Sequence, residues 1–203
     1  MAEPTVLLWD IGGVLLSNGF DEASRQSAAE RFGLDLAELD RRHLEAMGPF
    51  ERGEITSEQY LDRVVFHTSR SFPRTAFWSF VLGCSTPRPA VIDIARAASA
   101  HPGRLTACFN NESRELNEYR IQTFGLDRFL SLYFSSCYLG RRKPDPAAYQ
   151  LVRDVLGRPP GEVLFIDDRP ENLLPAAGLG FQTILYRTPA ELRSDLAAAG
   201  VRL

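Results

Sequence analysis

Five side chains at four places along the chain are of types that could carry out chemistry: Asp10, Asn110, Lys143 and the pair Asp167-Asp168. All except Lys143 lie at or just beyond the end of a short apolar run. Ligands of open α/β sheets bind in the crevice outside the carboxyl ends of the strands, so we expect these side chains to meet there. Carboxylates are the hard ligands that Mg²⁺ prefers, and lysine and amide groups can bind phosphate. The residue types therefore indicate a divalent metal and a phosphate.

Each of these positions also has a purely structural explanation. Asp168 precedes Pro170 and is a possible N-cap of the next helix, and Asn111 is a possible N-cap after the second apolar run. Asp10 is followed by Gly12-Gly13, where glycines let the backbone turn sharply or approach a ligand closely. Acids at two strand ends of one chain favour the metal site over these separate explanations.

Lys143 lies in a segment that two prolines, Pro144 and Pro146, make stiff. A stiff loop holds an ammonium group in place, which suits the neutralisation of a phosphate or a carboxylate. The adjacent arginines, Arg141 and Arg142, are more simply explained as a solvated basic loop. The three histidines show no spacing that suggests nucleophilic catalysis, and we assign them no catalytic role.

Composition excludes several classes of protein. The 203 residues carry a formal net charge of -3 with no long basic run, which argues against a nucleic-acid-binding protein. No apolar stretch approaches the roughly 20 residues that cross a bilayer, and the segment Met1–Pro4 does not resemble a secretion signal. Three cysteines without Cys-x-x-Cys spacing predict a reduced, cytoplasmic protein. Monomer and homodimer both remain open.

The hydrophobic pattern predicts strands that alternate with helices. The predicted strands are 6–9, 105–109, 129–134, 163–166 and 182–186. The predicted helices are 22–32, 35–47, 57–66, 73–82, 90–100, 112–124, 146–156 with Asp145 as its N-cap, 170–177 and 189–199. Such alternation is typical of an α/β fold with a mainly parallel sheet and helices on both faces.

One long block interrupts this alternation. Residues 17–85 contain only helical patterns, between the first and second strands. We therefore predict a core domain formed by residues 1–16 and 86–203, with an all-helical cap inserted at 17–85. The cap is expected to lie above the carboxyl ends of the strands.

In this order the motifs resemble those of the haloacid dehalogenase (HAD) superfamily, a large group of mostly phosphate-transferring hydrolases. The matching segments are 9–15, 109–111, 143–146 with Tyr149, and 165–172. The helical block is similar to the superfamily's small cap after the first strand. Residues 50–55 resemble a cap sequence of its epoxide-hydrolase-N-terminal-like and sugar-phosphatase-like branch.

The resemblance implies a Rossmann-like core, a Mg²⁺ cofactor and a role for each matching residue. Asp10 would be the nucleophile that forms an aspartyl-phosphate, and Lys143 would neutralise it. The implied metal ligands are Asp10, the carbonyl of Gly12, Asp168, and Asp167 as ligand or neighbouring acid. The implied phosphate-binding residues are Asn110, Asn111, Lys143 and Gly13.

Two positions depart from the superfamily's usual pattern. The second motif has Asn110 where Ser or Thr is usual, a mild change because an amide still donates hydrogen bonds. Gly12 stands where phosphatases carry a general acid and base, a role worth about 10²–10⁴-fold in rate. A water molecule, Asn111 or a cap residue is a possible substitute proton donor.

The best-supported prediction is a magnesium-dependent phosphomonoester hydrolase that acts on a small phosphorylated metabolite, for example a sugar phosphate. The missing acid also fits a metal-independent 2-haloacid dehalogenase, although such an enzyme has no need of the acid pair. A catalytically degenerate HAD-like binding protein is the third hypothesis. Specificity is expected from cap residues that face the crevice, with the candidates Ser17, Asn18, Phe20, Phe50 and Arg52.

Overall fold

Five parallel strands form the sheet at the centre of the molecule. The computed structural model describes residues 3–203, so Met1 and Ala2, part of the segment considered as a secretion signal, lie outside the described residues. The strands are β1 (Val6–Trp9), β2 (Leu105–Asn110), β3 (Leu132–Ser135), β4 (Val163–Asp167) and β5 (Gln182–Leu185). Their spatial order is β3-β2-β1-β4-β5, with parallel pairing throughout. The predicted α/β fold is confirmed.

Helices connect the strands and cover the sheet. In the described chain they are α1 (Glu22–Phe32), α2 (Leu36–Glu51), α3 (Ser57–Val64), α4 (Arg74–Gly83), α5 (Pro89–Ser99), α6 (Arg114–Thr123), α7 (Ser136–Leu139), α8 (Pro146–Leu156), α9 (Pro170–Gly178) and α10 (Pro189–Ala198). Because successive side chains of a strand point to opposite faces, Val6 and Leu8 join one apolar cluster, and Leu7 and Trp9 join the other. The sheet is therefore buried on both faces.

The four helices α1–α4 follow one another without a strand and share their own apolar cluster, formed by residues between Phe20 and Val81. The chain enters and leaves this helical block at neighbouring points. Ser17 donates its backbone N–H to the carbonyl of Thr86 at 2.8 Å, and Leu16 and Pro87 form an antiparallel bridge. The domain boundaries at 17 and 85 stay a prediction.

Three of the helices, α2, α6 and α7, differ from the expected elements for separate reasons. Helix α2 continues past Pro49 to Glu51, where the Phe50 ring stacks on Tyr60 with centroids 4.3 Å apart. Helix α6 starts at Arg114 rather than at residue 112, because Ser113 is extended at the N-cap position, and the backbone N–H of Glu112 donates to the Ser136 hydroxyl at 2.9 Å. The four-residue helix α7 was not predicted, since one helical turn carries too little periodicity to detect.

Candidate active site

The register of the sheet brings Asp10 and Asp167 to the same edge. Trp9 pairs with Cys108 on one side and with Ile166 on the other, so β1, β2 and β4 end side by side. Asp10 follows directly and donates its backbone N–H to the carbonyl of Ile166 at 2.9 Å. The two carboxylates therefore face one crevice, as the crevice rule for parallel sheets predicts.

Lys143, the single lysine of the chain, lies between these carboxylates and is only 4% exposed. Its Nζ is 3.2 Å from Asp10 Oδ1 and 2.5 Å from Asp167 Oδ2. Burial works against its charge, but the carboxylates of Asp10 and Asp167 raise the pKa of Lys143 and keep the ammonium protonated. Burial raises the pKa of Asp10 to about 7 despite the opposing effect of Lys143, with a further contribution from Asp167.

Asp167 is fully buried, and its oxygens are occupied by neighbouring donors. Oδ1 accepts hydrogen bonds from the backbone N–H of Arg169 at 2.9 Å and from the Asn172 amide at 3.0 Å. Oδ2 accepts from Asn172 at 3.1 Å and from Lys143. This pattern makes Asp167 an anchor for the ammonium group.

Asp168 differs from its neighbour because its Oδ1 is buried and has no hydrogen-bond donor among the described residues. Burial and the charge of Asp167 raise the pKa of Asp168. One carboxylate oxygen from each of Asp10, Asp167 and Asp168 lies within 4.8 Å of the other two. The N-cap of α9 is Arg169, so the alternative in which Asp168 caps this helix is wrong.

Gly13 makes room for Asp168. Its φ of 81° lies in the left-handed region, and a Cβ at this position would be 2.1 Å from Asp168 Oδ2. The backbone N–H of Gly13 donates to the carbonyl of Leu16 at 2.8 Å. That N–H is therefore engaged in a turn, and the phosphate contact of Gly13 stays a prediction.

The two asparagines after β2 have different tasks. Asn111 holds the lysine loop, because its amide donates to the carbonyl of Lys143 and accepts from the backbone N–H of Lys143, both at 2.8 Å. Helix α6 is instead preceded by Ser113 as its N-cap, so the capping alternative for Asn111 is wrong.

The buried side chain of Asn110 accepts from Ser135 at 2.7 Å and donates to Asn117 at 3.0 Å. The structure does not bring this side chain into the wall of the crevice, and its phosphate contact stays a prediction.

A cleft of about 500 Å³ opens between the sheet edge and the helical block. Asp10, Gly12, Asn111, Lys143 and Asn172 belong to its core side. The helical block contributes Asn18, Gly19, Phe20, Asp21, Glu22, Arg25, His43, Leu44, Met47, Phe50, Glu51, Tyr60 and Val81. Of the five cap candidates, Asn18, Phe20 and Phe50 thus line the cleft.

The other two cap candidates have structural partners elsewhere. The Ser17 hydroxyl donates to the carbonyl of Cys84 at 3.0 Å, and Arg52 pairs with the exposed Glu54 at 2.6 Å. His43, which was given no catalytic role, is buried in the helical block with Nδ1 2.7 Å from the Tyr60 hydroxyl.

Sequence reasoning missed two charged pairs in the cleft wall. Arg120 donates to Glu112 at 2.8 Å, and Arg142 lies 2.5 Å from Glu51 of the helical block. The first pair joins residues eight positions apart, and helical ion pairs form between residues three or four positions apart, so helical spacing does not reveal it. The second pair joins segments that are far apart in the chain, so no local spacing reveals it.

Comparisons with known proteins agree with this arrangement. A profile for haloacid dehalogenase-like hydrolases matches residues 4–180. Flavin mononucleotide hydrolase 1 of Arabidopsis thaliana is 27% identical over 201 residues, covering 98% of this chain and 78% of that protein. A phosphatase of Mycobacterium tuberculosis is 28% identical over 215 residues, covering 98% of this chain and 96% of that protein. The chain spans only 13% of the bifunctional epoxide hydrolase 2 of Rattus norvegicus, which it also matches.

A solved structure shows the same fold. The HAD family enzyme of Bacteroides thetaiotaomicron, in complex with magnesium and inorganic phosphate, superposes with a TM-score of 0.74 at 18% identity, covering 91% of this chain and 94% of that chain. Within residues 3–203, none of the helices has the length and apolar content to cross a membrane. With the profile extending over most of its length, the chain belongs to the haloacid dehalogenase-like hydrolase family.

Proposed function

We propose that the protein is a magnesium-dependent phosphomonoester hydrolase that acts through an aspartyl-phosphate on Asp10. The observation that carries this proposal is the carboxylate cluster of Asp10, Asp167 and Asp168, two members of which, Asp10 and Asp167, contact the buried ammonium of Lys143. The similarity over 98% of the chain to a flavin mononucleotide hydrolase and to a phosphatase supports the same reaction class. A small phosphorylated metabolite is the proposed substrate.

The residues of the cluster fit Mg²⁺. The ion prefers hard oxygen ligands, and it usually binds one or two carboxylates together with water. Within residues 3–203 no group donates a hydrogen bond to the buried Asp168 Oδ1, and a cation would satisfy this oxygen. We assign Asp10 and Asp168 as ligands, Asp167 as the neighbouring acid, and the carbonyl of Gly12 as a further ligand. When bound, the ion would offset the charge of the phosphate and of the attacking carboxylate.

In the proposed reaction Asp10 attacks phosphorus and water then hydrolyses the aspartyl-phosphate. The Asp10 carboxylate is held in place by the backbone N–H of Ile11, which donates to Oδ1 at 2.8 Å. Lys143 stabilises the ionised form of Asp10 and offers its ammonium to the phosphate. Asp167 and Asn111 keep the ammonium and its loop in position, which reduces the reorganisation needed during reaction.

A metal-independent dehalogenase is the second candidate, and the absence of a side chain at Gly12 favours it. Such a reaction leaves Asp168 Oδ1 buried without a partner, at a cost of roughly 1–3 kcal/mol for an unsatisfied polar group and more for a charge. The metal-dependent phosphatase accounts for that oxygen, so we rank it first.

The test is phosphate release from a panel of sugar phosphates, nucleotides, flavin mononucleotide and phosphorylated organic acids. We expect release that requires Mg²⁺, stops with a chelator and is abolished in Asp10→Asn. Asp93→Asn, a change of the same type at an exposed position on α5, is the matched control and retains activity. Silence across the panel, together with halide release from 2-haloacids in the presence of a chelator, would reverse the ranking.

A further inference from the structure

The space beside Gly12, where the superfamily's phosphatases carry an acid, is bordered by two side chains of this protein. A Cβ at position 12 would lie 3.4 Å from Asn18 Oδ1 and 3.7 Å from Arg120 Nη1. Both residues also line the cleft. Arg120 is therefore a cation at the point where a proton donor is missing.

Arg120 is held by several partners. Nε donates to the Ser85 hydroxyl at 3.0 Å, and Nη2 donates to the carbonyl of Ser17 at 3.4 Å. These partners lie on the two segments that join the helical block to the sheet. Nη1 donates to Glu112 Oε2 at 2.8 Å. The same nitrogen thus borders the space at Gly12 and contacts a carboxylate.

Glu112 is a carboxyl that the cleft wall holds in place. Its Oε1 accepts the backbone N–H of Ser113 at 2.9 Å, and its own backbone N–H is bound by Ser136. Burial raises the pKa of Glu112, and the Arg120 guanidinium opposes this rise. The titratable groups coupled electrostatically to Glu112 are Arg120 on α6, Glu51 on α2, Tyr60 on α3 and Cys137 on α7.

We propose that Glu112 performs the proton transfers for which Gly12 has no side chain, and that Arg120 is its positioning residue. This inference rests on the proposed phosphatase function. In the first step Asp10 attacks phosphorus, the ester P–O bond breaks, and the leaving oxygen takes the proton of the Glu112 carboxyl. In the second step the Glu112 carboxylate takes a proton from the water that attacks the aspartyl-phosphate, which releases phosphate and restores both acids.

The experiment compares two phosphate esters of similar size and different leaving groups. Nitrophenolate leaves without a proton, whereas the alkoxide of benzyl alcohol needs one. We expect the wild-type protein with Mg²⁺ to cleave 4-nitrophenyl phosphate and benzyl phosphate with kcat/KM values within about tenfold of each other. Glu112→Gln should lower kcat/KM about 100-fold or more for benzyl phosphate and less than about tenfold for 4-nitrophenyl phosphate.

Three further variants separate proton transfer from structure. Glu51→Gln removes another half-buried carboxyl of the cleft wall, and any loss it causes should be equal for the two esters. Glu112→Asp keeps an acid and should restore part of the benzyl phosphate activity. Arg120→Gln removes the charge that opposes protonation of Glu112, so the basic limb of kcat/KM for benzyl phosphate should move to higher pH.

The outcomes are distinguishable. Equal losses on both esters in Glu112→Gln, a selective loss in Glu51→Gln instead, or a wild-type protein that cleaves only 4-nitrophenyl phosphate would each overturn the role of Glu112. If the wild-type protein cleaves neither ester nor any compound of the wider panel, the proposed phosphatase function fails as well.

Discussion

Gly13 and Asp168 form a pair in which the absent side chain of one residue makes room for the carboxylate of the other. We expect Gly13→Ala to displace Asp168, because the new Cβ would lie 2.1 Å from Oδ2 on backbone with a φ of 81°. The Mg²⁺ concentration that half-activates phosphate release should rise at least about tenfold, because the displaced carboxylate no longer contributes to binding the ion. A tenfold rise corresponds to a loss of roughly 1.4 kcal/mol of binding free energy.

Gly33→Ala is the matched control for that change. Gly33 has a φ of 62°, but among the described residues no atom beyond Gly33 and its chain neighbours lies within 4 Å of its Cβ position. The Gly33→Ala variant should have a free energy of unfolding lower by about 1–2 kcal/mol, through backbone strain alone, and an unchanged magnesium dependence of phosphate release. An unchanged magnesium dependence in Gly13→Ala would contradict the assignment of Asp168 as a ligand.

The residue types at the strand ends were sufficient to predict which side chains meet. Asp10 and Asp167 each follow an apolar run, and the parallel register then brings them to one edge. The hydrogen-bond partners of the individual carboxylate oxygens were not predictable, because these partners are distant in the chain. Asp167 is occupied by Lys143 and Asn172, while Asp168 Oδ1 has no such donor in the described structure.

Among the helices, α3 is stabilised by a capping box. The Gln59 backbone N–H donates to the Thr56 hydroxyl at 3.2 Å, and the Thr56 backbone N–H donates to the Gln59 side chain at 3.0 Å. We expect Thr56→Ala to lower the free energy of unfolding by about 1 kcal/mol, as measured by chemical denaturation.

The control for this cap is Thr75→Ala. Thr75 is exposed in the first turn of α4, where alanine has the higher helix propensity, so stability should be unchanged or slightly greater. Equal losses in both variants would show that the cap of α3 contributes nothing specific.

Element bounds agree with the sequence at the end of α1 and at the start of α8, where a local signal marks the bound. Gly33 follows α1 in the left-handed conformation, and Asp145 with Pro146 begins α8, as expected. The predicted start of α6 at residue 112 was wrong, because Ser113 is extended at the N-cap position. Glu112, to which we assign the proton transfers, therefore lies in the cleft wall before the helix.

For the whole molecule, His43 links stability to pH. Burial lowers the pKa of His43 to about 4, and Arg25 lowers it further whereas Asp40 opposes the shift. In the unfolded chain the pKa is near 6.5. Between pH 6.5 and 4 the unfolded chain binds a proton at His43 that the folded chain does not. The contribution of neutral His43 to the free energy of unfolding is therefore fully present above pH 6.5 and is lost as the pH falls towards 4.

We expect the gap in free energy of unfolding between the wild-type protein and His43→Gln to narrow by about 2 kcal/mol from pH 7 to pH 4.5. The measurement is chemical denaturation at a series of pH values. His101→Gln, which changes an exposed histidine, should show no such narrowing. A constant gap for His43→Gln would indicate that His43 is protonated equally in both states.

Local patterns alone were enough to establish the alternation of strands and helices, the all-helical block and the order of the four motifs. These features depend on side-chain periodicity, glycine and proline positions and the type of residue at each strand end, all of which are local. The tertiary structure alone decided that Lys143 lies between Asp10 and Asp167, that Gly13 makes room for Asp168, and which charged side chains border Gly12. The physical reason is that hydrogen bonds and ion pairs between distant segments depend on how the packed layers approach one another, and no short window of sequence contains both partners.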